Sequence, residues 1–244
     1  MNVLIVYAHP EPMSFNGAMK ELAVSVLNQQ DHTVQVSDLY AMKFKAVADK
    51  DDFLDLSDPS FFKYQIEQIK AFQQHKFTPD IVAEQEKLIW ADFVIFQFAL
   101  WWFSFPGIMK GWVDRVLATG FAYGPGKPGC LPIRYDNGGL KGRKAMLALT
   151  TGAPYSAYTP TGMNGDIHQI LYPINHGILR FVGFDVLPPY IAYSPARVGQ
   201  EKHKEYLEEY QVRLLNWETT DVISYHPLAD YDDNLQLKQE VLSS

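Results

Sequence analysis

The sequence predicts a doubly wound α/β fold: a five-stranded parallel sheet of order 2-1-3-4-5 with helices on both faces, carrying insertions and a C-terminal tail. Three observations predict it. Short apolar runs such as Val3 to Ala8 and Phe93 to Ala99 are almost uninterrupted, the pattern of strands buried on both faces in a parallel sheet. Segments with helical spacing follow these runs, and the repeated alternation calls for crossovers rather than hairpins. Right-handed crossovers then leave the doubly wound topology.

Val3 to Ala8 is the first strand, and Phe15 to Asn28 follows as a helix with Ala18, Leu22 and Val26 on one face. Thr33 to Ser37 alternates as a second strand. A long polar excursion then opens at Asp38-Leu39-Tyr40, and its run Asp49-Lys50-Asp51-Asp52 reads as a solvated acidic loop. Thr78-Pro79-Asp80 starts a helix, with a hydroxyl N-cap, Pro at N1 and an acid in the first turn. Phe93 to Ala99 is the third strand, and a helix follows the Pro106-Gly107 break. After the Gly/Pro-rich insertion of residues 124–134 come the strand Ala145 to Thr150, the helix around Ile167 to Phe181, the strand Val186 to Tyr193 and the helix Glu201 to Trp217. Residues 1–220 form one domain in this reading, and 221–244 are an extension that wraps the surface or a partner.

Composition narrows the function. The 244 residues, 47% hydrophobic, suffice for one well-buried core. A net charge of −7 without clustered Lys or Arg excludes a nucleic-acid binder. Cys130 is the only cysteine, so no intrachain disulfide forms, and no apolar run approaches the ~20 residues that span a bilayer. With Met1 leading straight into an apolar strand, the expected location is cytoplasmic.

In such a sheet the ligand lies beyond the carboxyl ends of the strands, at the switch point. Three loops meet there. His9 to Asn16 feeds a helix N-terminus, whose free N–H groups and positive dipole end suit an anion. Ser14 reads as an N-cap or an anion ligand, and His9 as a capping residue or a ligand contact. The loop has no glycine before Gly17, so the P-loop and dinucleotide fingerprints do not apply. "FALWWFSFPG" follows a buried strand with Trp101, Trp102, Phe103 and Phe105. Core packing absorbs one or two of these rings, and a flat ligand would cover the rest. "TTGAPYSAYTPTGMNGD" supplies hydroxyls, two tyrosines and an Asn, either as a polar turn or as partners for a polar ring edge. Together these are the needs of a flavin.

The segments "AHPEPMSFNGAMKE", "SDLYAMKF", "TPDIVAEQEKLIWADFVIFQF", "WFSFPGIMKGWVDRV", "FAY", "LTTG" and "GILRFVGFDVL" resemble, in order, motifs of the flavodoxin-fold NAD(P)H:quinone oxidoreductases of the DT-diaphorase type. The resemblance runs from the first strand to about Trp217. It implies a homodimeric flavoprotein using FAD, with FMN as the alternative, and active sites at the subunit interface. It implies that His9, Ser14, Phe15, Asn16 and Ala18 hold the phosphates and ribityl region. Leu100, Trp101, Trp102 and Phe103 line the isoalloxazine, and Thr150, Thr151, Gly152 and Ala153 its polar edge. Asp114 stands near the partner's flavin. Tyr158 hydrogen-bonds the flavin and acts with Asn164 in catalysis, while Trp102, Phe103, Tyr123, Tyr155 and Asn164 border the substrate. NAD(P)H would deliver hydride to flavin N5 and leave, and a quinone would take it up in the same slot, a ping-pong cycle.

The chain departs from that family at several points. Asn164 stands where some relatives have a histidine paired with the tyrosine, which leaves the donor preference open. Ala153 replaces a second glycine, and the segment Pro195 to His203, where an Arg supports the adenine half of FAD, aligns poorly. Some relatives bind a metal through a histidine at the His176 position and another one turn on. Here the second position is Arg180, so no metal is expected. The competing readings are a flavin-binding accessory or redox-sensor subunit, an FMN-dependent azo- or nitroreductase, and a one-electron carrier.

Overall fold

The computed structural model describes residues 1–126 and 132–242. Strands β1 (Asn2–Ala8), β2 (Thr33–Asp38), β3 (Phe93–Ala99), β4 (Lys144–Thr151), β5 (Asp185–Val186) and β6 (Tyr190–Tyr193) form one sheet. Its order is β2-β1-β3-β4-β5, with β6 also paired to β4 and every pairing parallel. The doubly wound order is the one expected. The expected continuous strand Val186 to Tyr193 is instead broken in two, because Pro188 and Pro189 bring no N–H to the ladder. Leu187 still donates to the Ala145 carbonyl at 2.8 Å, and pairing resumes with Tyr190 opposite Ala148.

The alternation of side chains along β1 sorts the two layers. Val3, Ile5 and Tyr7 face a cluster with Met19, Ala23 and Tyr210, contributed by α1 (Phe15–Gln29) and α6 (Gln200–Leu215). Leu4, Val6 and Ala8 face a larger cluster containing Leu88, Trp112 and Leu171, from α3 (Pro79–Trp90), α4 (Gly107–Val116) and α5 (Ile167–Ile174). Both faces of the sheet are dry, as the apolar strand runs require.

The polar excursion is only partly a solvated loop: Lys50 and Asp51 are exposed, but Asp52 is not. It contains α2 (Tyr64–Gln74), and Phe53, Ala71 and Phe77 pack with Ile81 and Ala118 in a third cluster. Asp52 is fully buried because it accepts from Arg115 Nε at 2.9 Å, Lys45 Nζ at 3.0 Å and the Tyr64 hydroxyl at 2.7 Å. Thr78 does occupy the N-cap of α3 with Pro79 behind it, yet its side chain makes no capping bond, and Asp80 pairs with Arg115 at 2.8 Å. α5 does not continue as an α-helix to Phe181. Pro173 lies inside it, and the chain widens to a π-helix over Asn175–Arg180.

The C-terminal extension is pinned to the body. Ile223 N–H donates to the Val186 carbonyl at 2.7 Å, Leu228 N–H to Asp136 at 2.6 Å, and the Tyr225 ring lies 5.1 Å from that of His176. Among the described residues, no helix is long and apolar enough to cross a membrane. The centre of the insertion, including Cys130, lies outside the described residues.

Candidate active site

The first loop is shaped by close packing onto its helix. A Cβ on Gly17 would lie 1.8 Å from the Pro12 carbonyl oxygen, so the loop folds down over the first turn only because that position is glycine. Ser14 is the N-cap, and its Oγ accepts the Gly17 N–H at 3.1 Å. Ala18, exposed on the same turn, donates its N–H to the Ser14 carbonyl at 3.0 Å. The N–H groups of Phe15 and Asn16 donate to no described residue, which leaves two donors at the positive end of α1. His9 Nδ1 lies 3.1 Å from the Glu11 carbonyl oxygen and 3.2 Å from its nitrogen. Either tautomer commits Nδ1 to the loop and keeps Nε2 for a ligand.

The second loop is strained. Trp101 and Ser104 exchange backbone hydrogen bonds of 3.2 and 3.0 Å, and between them Trp102 and Phe103 have φ of 50° and 58°. Two successive residues at positive φ are the pattern of a type I′ turn, which ordinarily takes Asn-Gly. Bulky aromatics there cost roughly 1–2 kcal/mol each. The strained turn holds Trp102 95% exposed and leaves Trp101 and Phe103 only partly covered, while Phe105 turns into the core. Leu100, half-buried, ties this loop to the third by donating to the Thr150 carbonyl at 2.9 Å.

The third loop begins at the buried Thr150 and Thr151. Thr151 Oγ1 donates to the Ala153 carbonyl at 2.8 Å, and Ser194 Oγ to that of Gly152 at 3.3 Å, which curls the chain outward. Gly162 permits the return, since a Cβ there would meet the Ala157 backbone at 2.5 Å. Asn164 N–H then donates to the Ala157 carbonyl at 2.9 Å, bringing Asn164 beside Tyr158. Burial raises the Tyr158 pKa, and a hydrogen bond with the Asn164 side chain pulls it partway back. Tyr158 therefore stays a neutral donor. Tyr155, largely exposed, and Tyr158 both lie against Tyr193, with ring separations of 5.3 and 6.1 Å.

One connection joins the first and third loops from below. The Asn16 amide, buried, donates to Thr150 Oγ1 at 2.9 Å, and the Asn16 carbonyl accepts from Gln97 Nε2 at 2.5 Å. The amide expected to reach a phosphate is thus spent on Thr150. Gln97 was missed by sequence reasoning, although it is the one polar residue in the run Phe93–Ala99. Arg197 was missed as well. It lines a cleft of about 470 Å³ with Tyr155, Ser156, Tyr193, Ser194 and Tyr206, continuous with Phe15 through the Phe15–Tyr206 contact at 6.2 Å.

Two expected residues are not brought to this edge within one chain. α4 leaves the aromatic loop and runs back toward the amino ends of the strands. Asp114, exposed near its far end, pairs with Lys110 at 2.5 Å. Tyr123 lies beyond it, 5.4 Å from the ring of Phe181, in the connection that leads to β4. Sequence position alone hides this, because a helix of this length carries the chain across the sheet. At His176, the position one turn on is Arg180, whose guanidinium pairs with Asp136, and the imidazole lies between the Tyr172 and Tyr135 rings.

These residues fit a flavin. Free N–H groups and His9 Nε2 suit its phosphate, the exposed rings of the turn its flat faces, and the Tyr158 hydroxyl a polar edge. Comparison with known proteins agrees in fold. The ribosyldihydronicotinamide dehydrogenase (quinone) of Pongo abelii is 48% identical over 213 residues, covering 87% of this chain and 90% of its own. NAD(P)H dehydrogenase (quinone) 1 of Rattus norvegicus is 43% identical over 244 residues, 98% of this chain and 86% of its own. A solved structure from Klebsiella pneumoniae, 46% identical, superposes with a TM-score of 0.95 over 98% of this chain and 95% of that one. A family model described by its flavodoxin-like fold matches residues 1–216, and the chain belongs to that family.

Proposed function

We propose that this chain is a flavin-dependent NAD(P)H:quinone oxidoreductase. The observation that carries the reading is the strained turn, which holds the Trp102 and Phe103 rings outward at the sheet edge where Tyr158 and the free end of α1 also lie. Two relatives named as quinone dehydrogenases, each similar along most of its length, support it. When bound, the flavin supplies the redox chemistry, taking two electrons from a reduced nicotinamide and giving them to a quinone. The protein's residues bind and orient. The Phe15 and Asn16 N–H groups and His9 hold the phosphate, while Trp101, Trp102 and Phe103 make an apolar slot that excludes water. Tyr158, held neutral by burial and oriented by Asn164, keeps a hydrogen bond for negative charge developing at the ring edge.

FAD is favoured over FMN by the cleft beside Arg197, Tyr193 and Tyr206, which has room for a second half of the cofactor. A homodimer is favoured by the exposed Leu54, Phe61, Ile66 and Phe72, which flank the region of Asp114 and Tyr123 and form an apolar surface that a monomer rarely leaves open. Pairing across that surface would return both residues to a partner's site. A lone cysteine fits a cytoplasmic setting. Asn164 beside Tyr158, together with the name of the Pongo abelii relative, favours a second reading of the donor as ribosyldihydronicotinamide.

Steady-state oxidation of each donor, with and without menadione, tests the function on protein whose extracted flavin has been identified. Menadione-dependent turnover with FAD released is the expected result. Bound flavin with negligible turnover would point instead to an accessory subunit, and released FMN with azo-dye reduction to the azoreductase branch.

A further inference from the structure

We propose that Gln97 is a positioning residue that sets the separation between the phosphate-binding end of α1 and the loop after β4. The inference rests on the flavin reading above. Gln97 is wholly buried in the middle strand, flanked by Phe96 and Phe98, where the rest of β3 is apolar. Its Nε2 donates at 2.5 Å to the Asn16 carbonyl, which belongs to the first turn of α1, and Asn16 Nδ2 donates at 2.9 Å to Thr150 Oγ1. Three strands end at this point, and the three side chains connect the loops that follow two of them.

The arrangement costs the fold something. Gln97 Oε1 and Asn16 Oδ1 are buried and accept no hydrogen bond from any described residue, and each such orphan is unfavourable. A residue kept for stability alone would be apolar here, like its neighbours. A polar group that weakens the core and yet fixes a backbone carbonyl at the mouth of a site acts on geometry instead. The Asn16 carbonyl belongs to the Asn16–Gly17 peptide unit, whose N–H is accepted by Ser14 Oγ, and that unit directly follows the two that carry the free Phe15 and Asn16 N–H groups, so the hold of Gln97 reaches the ligand-facing donors through the adjoining Asn16 Cα.

The experiment uses flavin titration of the apo-protein, followed by flavin fluorescence, across pH, together with apo-protein unfolding. Gln97→Met removes the donor at nearly constant volume and is expected to weaken flavin binding about tenfold while the apo-protein keeps or gains stability. Gln97→Glu keeps the shape but can donate to the Asn16 carbonyl only when its carboxyl is protonated. Its flavin affinity is expected to approach that of the parent at low pH and to fall as pH rises, beyond any pH dependence of the parent. If Gln97→Met does not fold, the pH profile of Gln97→Glu relative to the parent decides alone. Parent-like affinity in Gln97→Met, or an affinity in Gln97→Glu that follows the parent's pH profile, would overturn the proposal and leave the flavin reading intact. A parent protein that binds no flavin would overturn both.

Discussion

The two ends of α4 are built on opposite principles. Before its first turn, Trp102 and Phe103 are strained and exposed, with backbone held at positive φ and rings in solvent. Near its last turn, Arg115 is 1% exposed and fully engaged, with Asp52 at 2.9 Å, Asp80 at 2.8 Å, the Lys45 carbonyl at 2.9 Å and the Phe44 ring 4.8 Å away. One end spends stability on geometry, and the other supplies the rigidity that lets it. A buried ion network with its partners in place locks the excursion of residues 39–78 onto α4, and α4 in turn fixes where the aromatic turn begins.

The largest effect should come from breaking the rigid end. Asp52→Ala leaves Arg115 and Lys45 without their shared carboxylate and Tyr64 without its acceptor. A loss of about 3–5 kcal/mol of stability is expected from denaturant unfolding. A loss below about 1 kcal/mol would mean that Asp80 alone holds Arg115 and that the network is not the anchor.

Tyr158→Phe comes next. It removes a neutral donor from the ring edge while keeping the ring against Tyr193. Stopped-flow flavin bleaching is expected to slow by about one to two decades, ~1.4–2.8 kcal/mol, with flavin binding little changed. A rate within about twofold of the parent would make Tyr158 part of the wall only.

The strained end should respond with the opposite sign. Glycine at position 102 relieves roughly 1–2 kcal/mol of backbone strain and gives back about half of that through the freer unfolded chain. Trp102→Gly is therefore expected to stabilise the apo-protein by about 0.5–1 kcal/mol and to weaken flavin retention. A less stable apo-protein with unchanged flavin affinity would show that the turn is there for packing.

The smallest effect is on pH dependence. Burial would raise the pKa of Asp80, but the Arg115 guanidinium 2.8 Å away and the Ile81 N–H help outweigh it, so the folded value lies below the ordinary carboxylate range. The same balance holds at Asp136, where the Leu228 N–H and Arg180 prevail over burial. A depressed folded pKa stabilises the chain above the unfolded value and loses that contribution as pH falls through the folded one. Melting temperatures should hold down to about pH 4 and decline below it, and Asp136→Asn should lose part of that acid-side decline. An equal decline in the variant would remove Asp136 from the account.

What was legible in the sequence was whatever periodicity or loop chemistry writes locally. The strand runs gave the sheet and its order, and the aromatic and hydroxyl-rich loops gave the edge proposed for the ligand. The remainder depends on partners distant in sequence. Asp52 looks solvated until Arg115, 63 residues away, is folded beside it. The Asn16 side chain looks free for a phosphate until Thr150 Oγ1 accepts from its amide, which leaves the backbone N–H as the donor. α2 was missed because its buried face carries Glu67 and Gln68, which satisfy Ser57 and Thr119, in place of an apolar stripe. For Asp114 and Tyr123 the sequence motif names the residues but not which chain's site they serve, because α4 carries the chain away from the loops at the carboxyl ends of the strands.

The central claim, one apolar slot at the aromatic turn serving donor and acceptor in succession, is tested most directly by initial rates over a grid of donor and menadione concentrations. A shared slot predicts parallel double-reciprocal lines, because the first product must leave before the second substrate enters. Lines that intersect would show donor and quinone bound together, and would contradict it.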